Sequence, residues 1–331
     1  MIAALSARLA AMVAVILVLV AAVLALQRVV PGDPARLMVG VTARAEIVEA
    51  ARQRLGLDRP LPVQYLAYLR KLARGDLQMS LRTRRPVAVD LASFLPATLE
   101  LVGVALLLAV AGGALFGLGS AGRWRGFAGL RAVALAAAAM PVFLLAMLGI
   151  LLLYGELGWL PGGGRSGVDP PPPATGFMIV DAVLAGRADA LLDALWHLAL
   201  PAACLAMAPA VGIGRVFRAS LVGTLRADFI RTARAKGLSE RRVLFGHAAR
   251  NSLGPTLSVT GIQVAILFAN VVIVESVFAW PGIGRYTGQS IVANDYPAIA
   301  GVTLALGVLY IVVNAVVDLL QIWADPRQRA G

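Results

Sequence analysis

Little in this 331-residue chain can carry covalent or acid–base catalysis. It has one cysteine, Cys204, and two histidines, His197 and His247. A single thiol allows no intrachain disulfide and no cysteine-built metal site; inside an apolar stretch it behaves as a small apolar residue. No GxxxxGKS/T phosphate loop, HExxH, CxxC or GxSxG occurs. An ATPase site, a zinc protease, a redox dithiol and a nucleophile elbow are therefore not encoded here. His197 stands alone at the entry to an apolar stretch and reads as an interfacial hydrogen-bonder rather than a ligand. Acids in apolar surroundings are expensive and mark function; Glu275 and Asp318 qualify. Both stand at the ends of their stretches, so snorkelling to an interface competes with a functional reading.

The dense chemistry is cationic. Residues 231–251 read RTARAKGLSERRVLFGHAARN, with Glu240 as their single acid. The overlapping stretch GTLRADFIRTARAK places Leu225, Phe229 and Ala233 at i, i+4 and i+8. That spacing predicts an amphipathic helix with an apolar ridge and a basic opposite face. Gly237 suits a left-handed C-terminal turn, and Ser239 suits the N-cap of a second helix, ERRVLFGHAARN. Two readings fit such a pair. One is a basic surface lying on anionic lipid; the other is a rigid lever docking in a partner's groove.

The elements that must position this segment are apolar, since 59% of the chain is hydrophobic. Uncharged stretches at 9–26, 101–122, 132–154, 194–214, 251–274 and 296–317 reach or approach the roughly 20 residues that cross a bilayer. The first exceeds the apolar core of a cleaved signal and is read as a retained membrane helix. The expected fold is an all-α integral membrane protein with six transmembrane helices. With a cytoplasmic N-terminus, the short inside segments hold Arg8, then Arg123, Arg125 and Arg131, then the cluster from Arg215 to Arg250, then Arg327 and Arg329. The short outside loops hold only Arg165, Arg187 and Arg285. This positive-inside pattern places both termini in the cytoplasm of a multi-pass protein. It also accounts for the net charge of +12 through the lipid bilayer, without nucleic acid.

Three parts are expected: 1–30 with the first membrane helix, 31–96 as a helical extracytoplasmic loop, and 97–331 as the core with helices two to six. The core includes the cytoplasmic loop 215–250. In the 31–96 loop, Ile47, Val48, Ala51 and Leu55 share a helical face closed by Gly56. Beyond the RPLP break, Val63, Leu66, Leu69 and Leu72 recur before Gly75. A folded spacer and a docking surface for an extracellular partner both suit this loop. Gly113 and Gly117 have the small-xxx-small spacing of close helix packing. Glycine and proline density at 155–176 forbids a long regular element, and 178–201 is expected to lead into the fourth span as an interfacial helix.

The segment FIRTARAKGLSERRVLFGHAARNSLGP (229–255) resembles the cytoplasmic loop of permease subunits in binding-protein-dependent ABC importers. Further stretches are similar to the dipeptide, oligopeptide and nickel subclass, first-permease type. They are VVPGDPA (29–35), LGLDRPLPVQYLAYL (55–69), GDL (75–77), PATLEL (96–101), VESVFAWPGIG (274–284), NDYP (294–297) and DPR (325–327). There are departures. The broad family motif begins Glu-Ala-Ala, whereas this chain has Arg231, Thr232 and Ala233, retaining the last alanine and Gly237. His247–Arg250 lack the family's proline, and Gln78 stands where the subclass usually has glycine.

The resemblance implies a type I ABC importer permease fold with a helical cap between helices one and two. It implies a pseudo-symmetric pair with a second homologous permease, two ABC ATPase subunits and an extracytoplasmic substrate-binding protein. ATP and Mg2+ would belong to the ATPases, with no cofactor on this chain and no enzymatic site of its own. Ala227, Asp228, Phe229, Ile230, Arg231, Thr232, Ala233, Arg234, Ala235 and Lys236 would form the coupling helix, hinged at Gly237. Glu275, Pro281, Gly282, Gly284 and Asp295 carry a structural or gating expectation. The implied function is import of di- or oligopeptides across the cytoplasmic membrane. A nickel, glutathione or other small-solute permease of the same subclass is the alternative. An ion-coupled carrier is disfavoured, because only Asn270 and Asn314 are polar at mid-span.

Overall fold

The computed structural model describes residues 13–25, 34–40, 42–121 and 127–324, without the side chains of 34, 37, 38, 55, 314 and 317–324. Arg8, Arg123, Arg125, most of VVPGDPA, the DPR tail and the Asp318 side chain lie outside that description. The described residues are mostly helical, with one isolated bridge between Met79 and Pro86. The chain divides into two compact units, Met1–Pro96 with Gly282–Val312, and Ala97–Pro281 with Val313–Gly331.

The first unit contains α1 (Val13–Ala25), α2 (Pro34–Val39), α3 (Ala45–Leu55) and α4 (Leu61–Ala73). It also holds the start of α5 (Val87–Ala121), α13 (Ile283–Val292) and α14 (Tyr296–Ala324) up to Val312. Helices α3 and α4 end where their glycines predict. Gly56 (φ 69°) and Gly75 (φ 75°) are left-handed, and the next amides, of Leu57 and Asp76, return to the carbonyls of Arg52 and Lys71. Their buried faces differ from the expected ones. In α3 Val48 and Ala51 are buried and Ile47 is exposed. In α4 the packed stripe is Tyr65, Tyr68, Leu69 and Leu72, while Val63 and Leu66 are exposed. A spacing of three falls short of the 3.6-residue turn and drifts round the helix; the observed i, i+3, i+4, i+7 stripe holds one face.

The second unit carries the rest of α5, α6 (Phe127–Ala139) and α7 (Val142–Gly149), which continues as a π-helical stretch, Ile150–Glu156. Then come α8 (Met178–Leu184), α9 (Ala188–Leu225), α10 (Asp228–Ala235) and α11 (Glu240–Arg242) with its π-helical continuation Val243–Ala249. Helix α12 (Leu253–Val277) completes the unit. Helix α9 packs on α6, α7, α8 and α12. It holds Pro201 and Pro209 within its length and extends well beyond the expected 194–214 at both ends. The approach to it is broken at Gly186 (φ 65°), which separates α8 from α9. Gly113 and Gly117 of α5 face α9 as their spacing predicts. A Cβ on Gly113 would lie 2.9 Å from the Ala210 carbonyl oxygen, and one on Gly117 would lie 2.6 Å from the Phe217 ring.

Among the described residues four helices are long and apolar enough to cross a membrane: α5, α9, α12 and α14 over Tyr296–Val313. The stretch expected as one span at 132–154 is instead two helices bent by 118°. The bend falls at Met140–Pro141, where the proline lacks an N–H and steers its predecessor away from helical torsions. Counted as one broken span, this pair makes five; α1 is an apolar helix of shorter length.

Candidate functional site

Helix α9 stops at Leu225, and Arg226 and Ala227 turn the chain. Ala227 is extended (φ −69°, ψ 150°) and opens α10 at Asp228, whose carboxyl lies in the first turn where the helix dipole favours it. The predicted segment Ala227–Lys236 is therefore one helix with its two caps. Gly237 follows at φ 78°. Its amide donates to the Arg234 carbonyl at 2.9 Å, and the Leu238 amide donates to the Ala233 carbonyl at 3.3 Å. These two bonds and the left-handed glycine form a Schellman closure, which fixes the direction in which the chain leaves α10. Ser239 is the N-cap residue of α11 by backbone conformation, without a side-chain capping bond.

The apolar side of α10 is Ile230 and Ala233, both buried. They pack with Leu221 and Leu225 of α9, Leu118 and Ala121 of α5, Leu238, and Val243 and Ala248 of the π-helical stretch. Phe229, expected on the ridge, is instead 46% exposed. The expected i, i+4, i+8 series assumed one continuous helix from Leu225. The break at Arg226–Ala227 rotates the register by about one residue, so Ile230 takes the buried place. The outward face carries Asp228, Phe229, Arg231, Thr232, Ala235 and Lys236. Arg231 meets Asp228 at 3.5 Å. Arg234 reaches across the glycine turn to Glu240 through two bonds, 2.7 and 3.0 Å. The Arg234 guanidinium holds the Glu240 carboxyl below its usual range. Phe245 adds a second exposed aromatic next to Arg241 and Arg242.

The remaining predicted residues divide between the two units. Glu275, in the second, does not snorkel: it is fully buried, and Thr98 Oγ1 donates to its Oε1 at 2.6 Å. Its carbonyl receives the Trp280 amide at 2.9 Å, closing α12. The Trp280 indole donates to the Ala97 carbonyl at 2.9 Å, just before Pro281. In the first unit Gly284 is buried in α13, behind Gly282 as N-cap. Asp295 caps α14, accepting the Ala298 amide at 3.2 Å, and also takes bonds from Ser80 Oγ and the Arg82 amide.

Sequence reasoning missed several anchors. Arg165, noted only as a rare outside cation, forms a part-buried pair with the buried Glu100 at 2.6 Å, and Glu100 also accepts the Ile179 amide at 2.7 Å. Asp90 is buried and accepts from Thr83 Oγ1 and Tyr286 OH. Each is a polar residue inside an apolar or loop segment, a signal that marks burial without naming the partner. Gln78, the departure from the subclass glycine, holds φ 67°.

The outward side of α10 is thus a basic, partly aromatic exposed face, and comparison with known proteins gives it context. Residues 109–330 match the family described as "Binding-protein-dependent transport system inner membrane component", and residues 1–101 match its N-terminal companion. The chain is 43% identical over 311 residues to the "Probable D,D-dipeptide transport system permease protein" of Escherichia coli K12, covering 92% of this chain and 91% of that one. It is 43% identical over 310 residues to the di/tripeptide transport system permease protein of Pseudomonas aeruginosa UCBPP-PA14, covering 92% of each. A glutathione transport system permease protein of Escherichia coli CFT073 is 36% identical over 302 residues, 90% of each chain.

Proposed function

The chain belongs to the binding-protein-dependent transport system inner membrane component family, and from that premise we propose that it is the permease subunit of an ATP-driven importer of di- or oligopeptides. It works as one of a pseudo-symmetric pair with a second permease, under two ATPase subunits that bind the ATP and Mg2+. A binding protein delivers substrate from outside. Six spans are proposed for the full chain, with α1 and the bent α6–α7 pair joining the four long helices. Both termini lie in the cytoplasm, and the 31–96 segment caps the outer side.

The observation that carries the reading is the mounting of α10. Its inner face is packed on the ends of α5 and α9, two helices of membrane-spanning length, while its outer face stays basic and exposed. A helix held this way transmits force: displacement of its outer face moves both spans. We assign Ala227–Lys236 as the coupling helix, with Phe229, Arg231 and Lys236 turned to the ATPase and Gly237 as the fixed turn. Glu275, Pro281, Gly282, Gly284 and Asp295 serve as the structural posts of the outer half.

Proteoliposomes holding this chain, its partner permease, both ATPases and the binding protein test the function. Uptake of labelled dipeptide should require ATP and every subunit. Uptake of glutathione but no di- or oligopeptide would move the assignment to the second reading, which the 36%-identical glutathione relative keeps open. Uptake driven by an ion gradient without ATP would overturn both.

A further inference from the structure

The 31–96 segment carries more cations than positive-inside topology asks of an outer loop, and three of them converge. Arg54 of α3, Arg59 of the connection and Lys71 of α4 line one cleft of about 480 Å³. All its lining residues belong to the first unit. Among the described residues none of the three meets a carboxylate at ion-pair distance. The cleft's one acid is Asp76, whose Oδ1 accepts the Gln78 amide at 2.8 Å. Three cations against one occupied carboxylate leave a positive field at the mouth.

The lining of the same cleft includes two buried phenols, Tyr68 and Tyr296, 7% and 5% exposed. Each hydroxyl is buried without a hydrogen-bond partner. An unpaired buried donor costs about 1–3 kcal/mol, so two in residues that line one cleft point to an acceptor that reaches them on binding. Apolar side chains complete the lining: Leu24 near the end of α1, and Leu57, Val63 and Ala67. Leu24 and Tyr296 belong to an apolar helix and to a helix of membrane-spanning length. The cleft therefore joins apolar helix ends to a cationic rim.

We propose that this cleft binds the phosphate headgroup of an anionic lipid. The cations meet the phosphate oxygens, the two phenols donate to the headgroup, and the acyl chains leave along α1. Basic pockets at helix ends suit such headgroups, and each Lys or Arg near a charged lipid surface contributes about 1 kcal/mol. The site holds whether or not the importer carries peptides, because it involves none of the coupling residues.

Native mass spectrometry of the full-length chain from nanodiscs of equal phosphatidylglycerol and phosphatidylcholine tests it. Phosphatidylglycerol should be retained preferentially, and Arg54→Gln with Arg59→Gln and Lys71→Gln should weaken retention at least about tenfold. Tyr68→Phe with Tyr296→Phe should weaken it too, whereas Arg70→Gln with Arg74→Gln, exposed on or beside α4 but off the cleft, should not. As a check independent of the variants, phosphatidylglycerol should raise the Tm of the wild-type chain above its value in phosphatidylcholine alone. Equal retention of both lipids, or an unchanged preference in the triple variant, would overturn the proposal. So would displacement of the lipid by an acidic dipeptide or inorganic phosphate at micromolar concentration, since the cleft would then hold a soluble anion.

Discussion

At Gly237 a single torsion angle sets where the basic helix points. With φ at 78° an L side chain is strained even though a Cβ there would meet nothing within 4 Å. Gly237→Ala should cost about 1–2 kcal/mol. Gly237→Pro cannot reach this φ and loses the bond to Arg234, so uptake should vanish while membrane insertion, read by fractionation, stays intact. Normal uptake at normal expression would remove the hinge from the account. The glycine and its left-handed turn were legible in the sequence, because few other residues tolerate that conformation. The exchange of Phe229 for Ile230 on the buried face was not, since one extended residue at Ala227 resets the helical register. It has a sharp consequence. Ile230→Ala should lower stability by about 2–5 kcal/mol, whereas Phe229→Ala should leave Tm unchanged and reduce ATP-coupled uptake. Gln78 gives a test in the opposite direction: replacing this φ 67° residue by glycine should raise stability by about 0.5–1 kcal/mol, measured by thermal unfolding.

At the scale of elements, capping decides where helices begin and end. Asp295 binds the N3 amide of α14 and also collects Ser80 and the Arg82 amide, so one carboxylate serves two segments 215 residues apart. Asp295→Ala should lower the Tm by the equivalent of about 2 kcal/mol, the sum of a lost cap and stranded donors. The NDYP motif indicated a helix start, but nothing local in the sequence specified Ser80 as its partner. The same holds for Thr98 with Glu275 and for Arg165 with Glu100: long-range polar pairing leaves no periodicity to read. Helix lengths were legible where apolar runs were uninterrupted, as in α12 and α14. They were less so where Pro141 bent a run by 118° and where α9 continued through two prolines.

For the whole molecule, the proposed topology assigns the 31–96 segment to the outer side of the membrane and α10 to the cytoplasmic side. In a background with buried Cys204 replaced by alanine, cysteines at Leu66 and Phe245 report the sides, both positions being exposed. A membrane-impermeant maleimide should label Leu66→Cys in intact cells and Phe245→Cys only after permeabilisation. The orientation rests on the positive-inside pattern alone; composition and motif order together made the family readable. In the proposed assembly the ATP chemistry belongs to another chain, and this one transmits its motion. The central claim is that the outer face of α10 docks in the ATPase. In the assembled importer, Phe229→Cys should form a disulfide with a cysteine placed in the ATPase groove, and ATP binding should change its yield. No crosslink across several neighbouring groove positions, in a complex that assembles and retains all subunits, would contradict it.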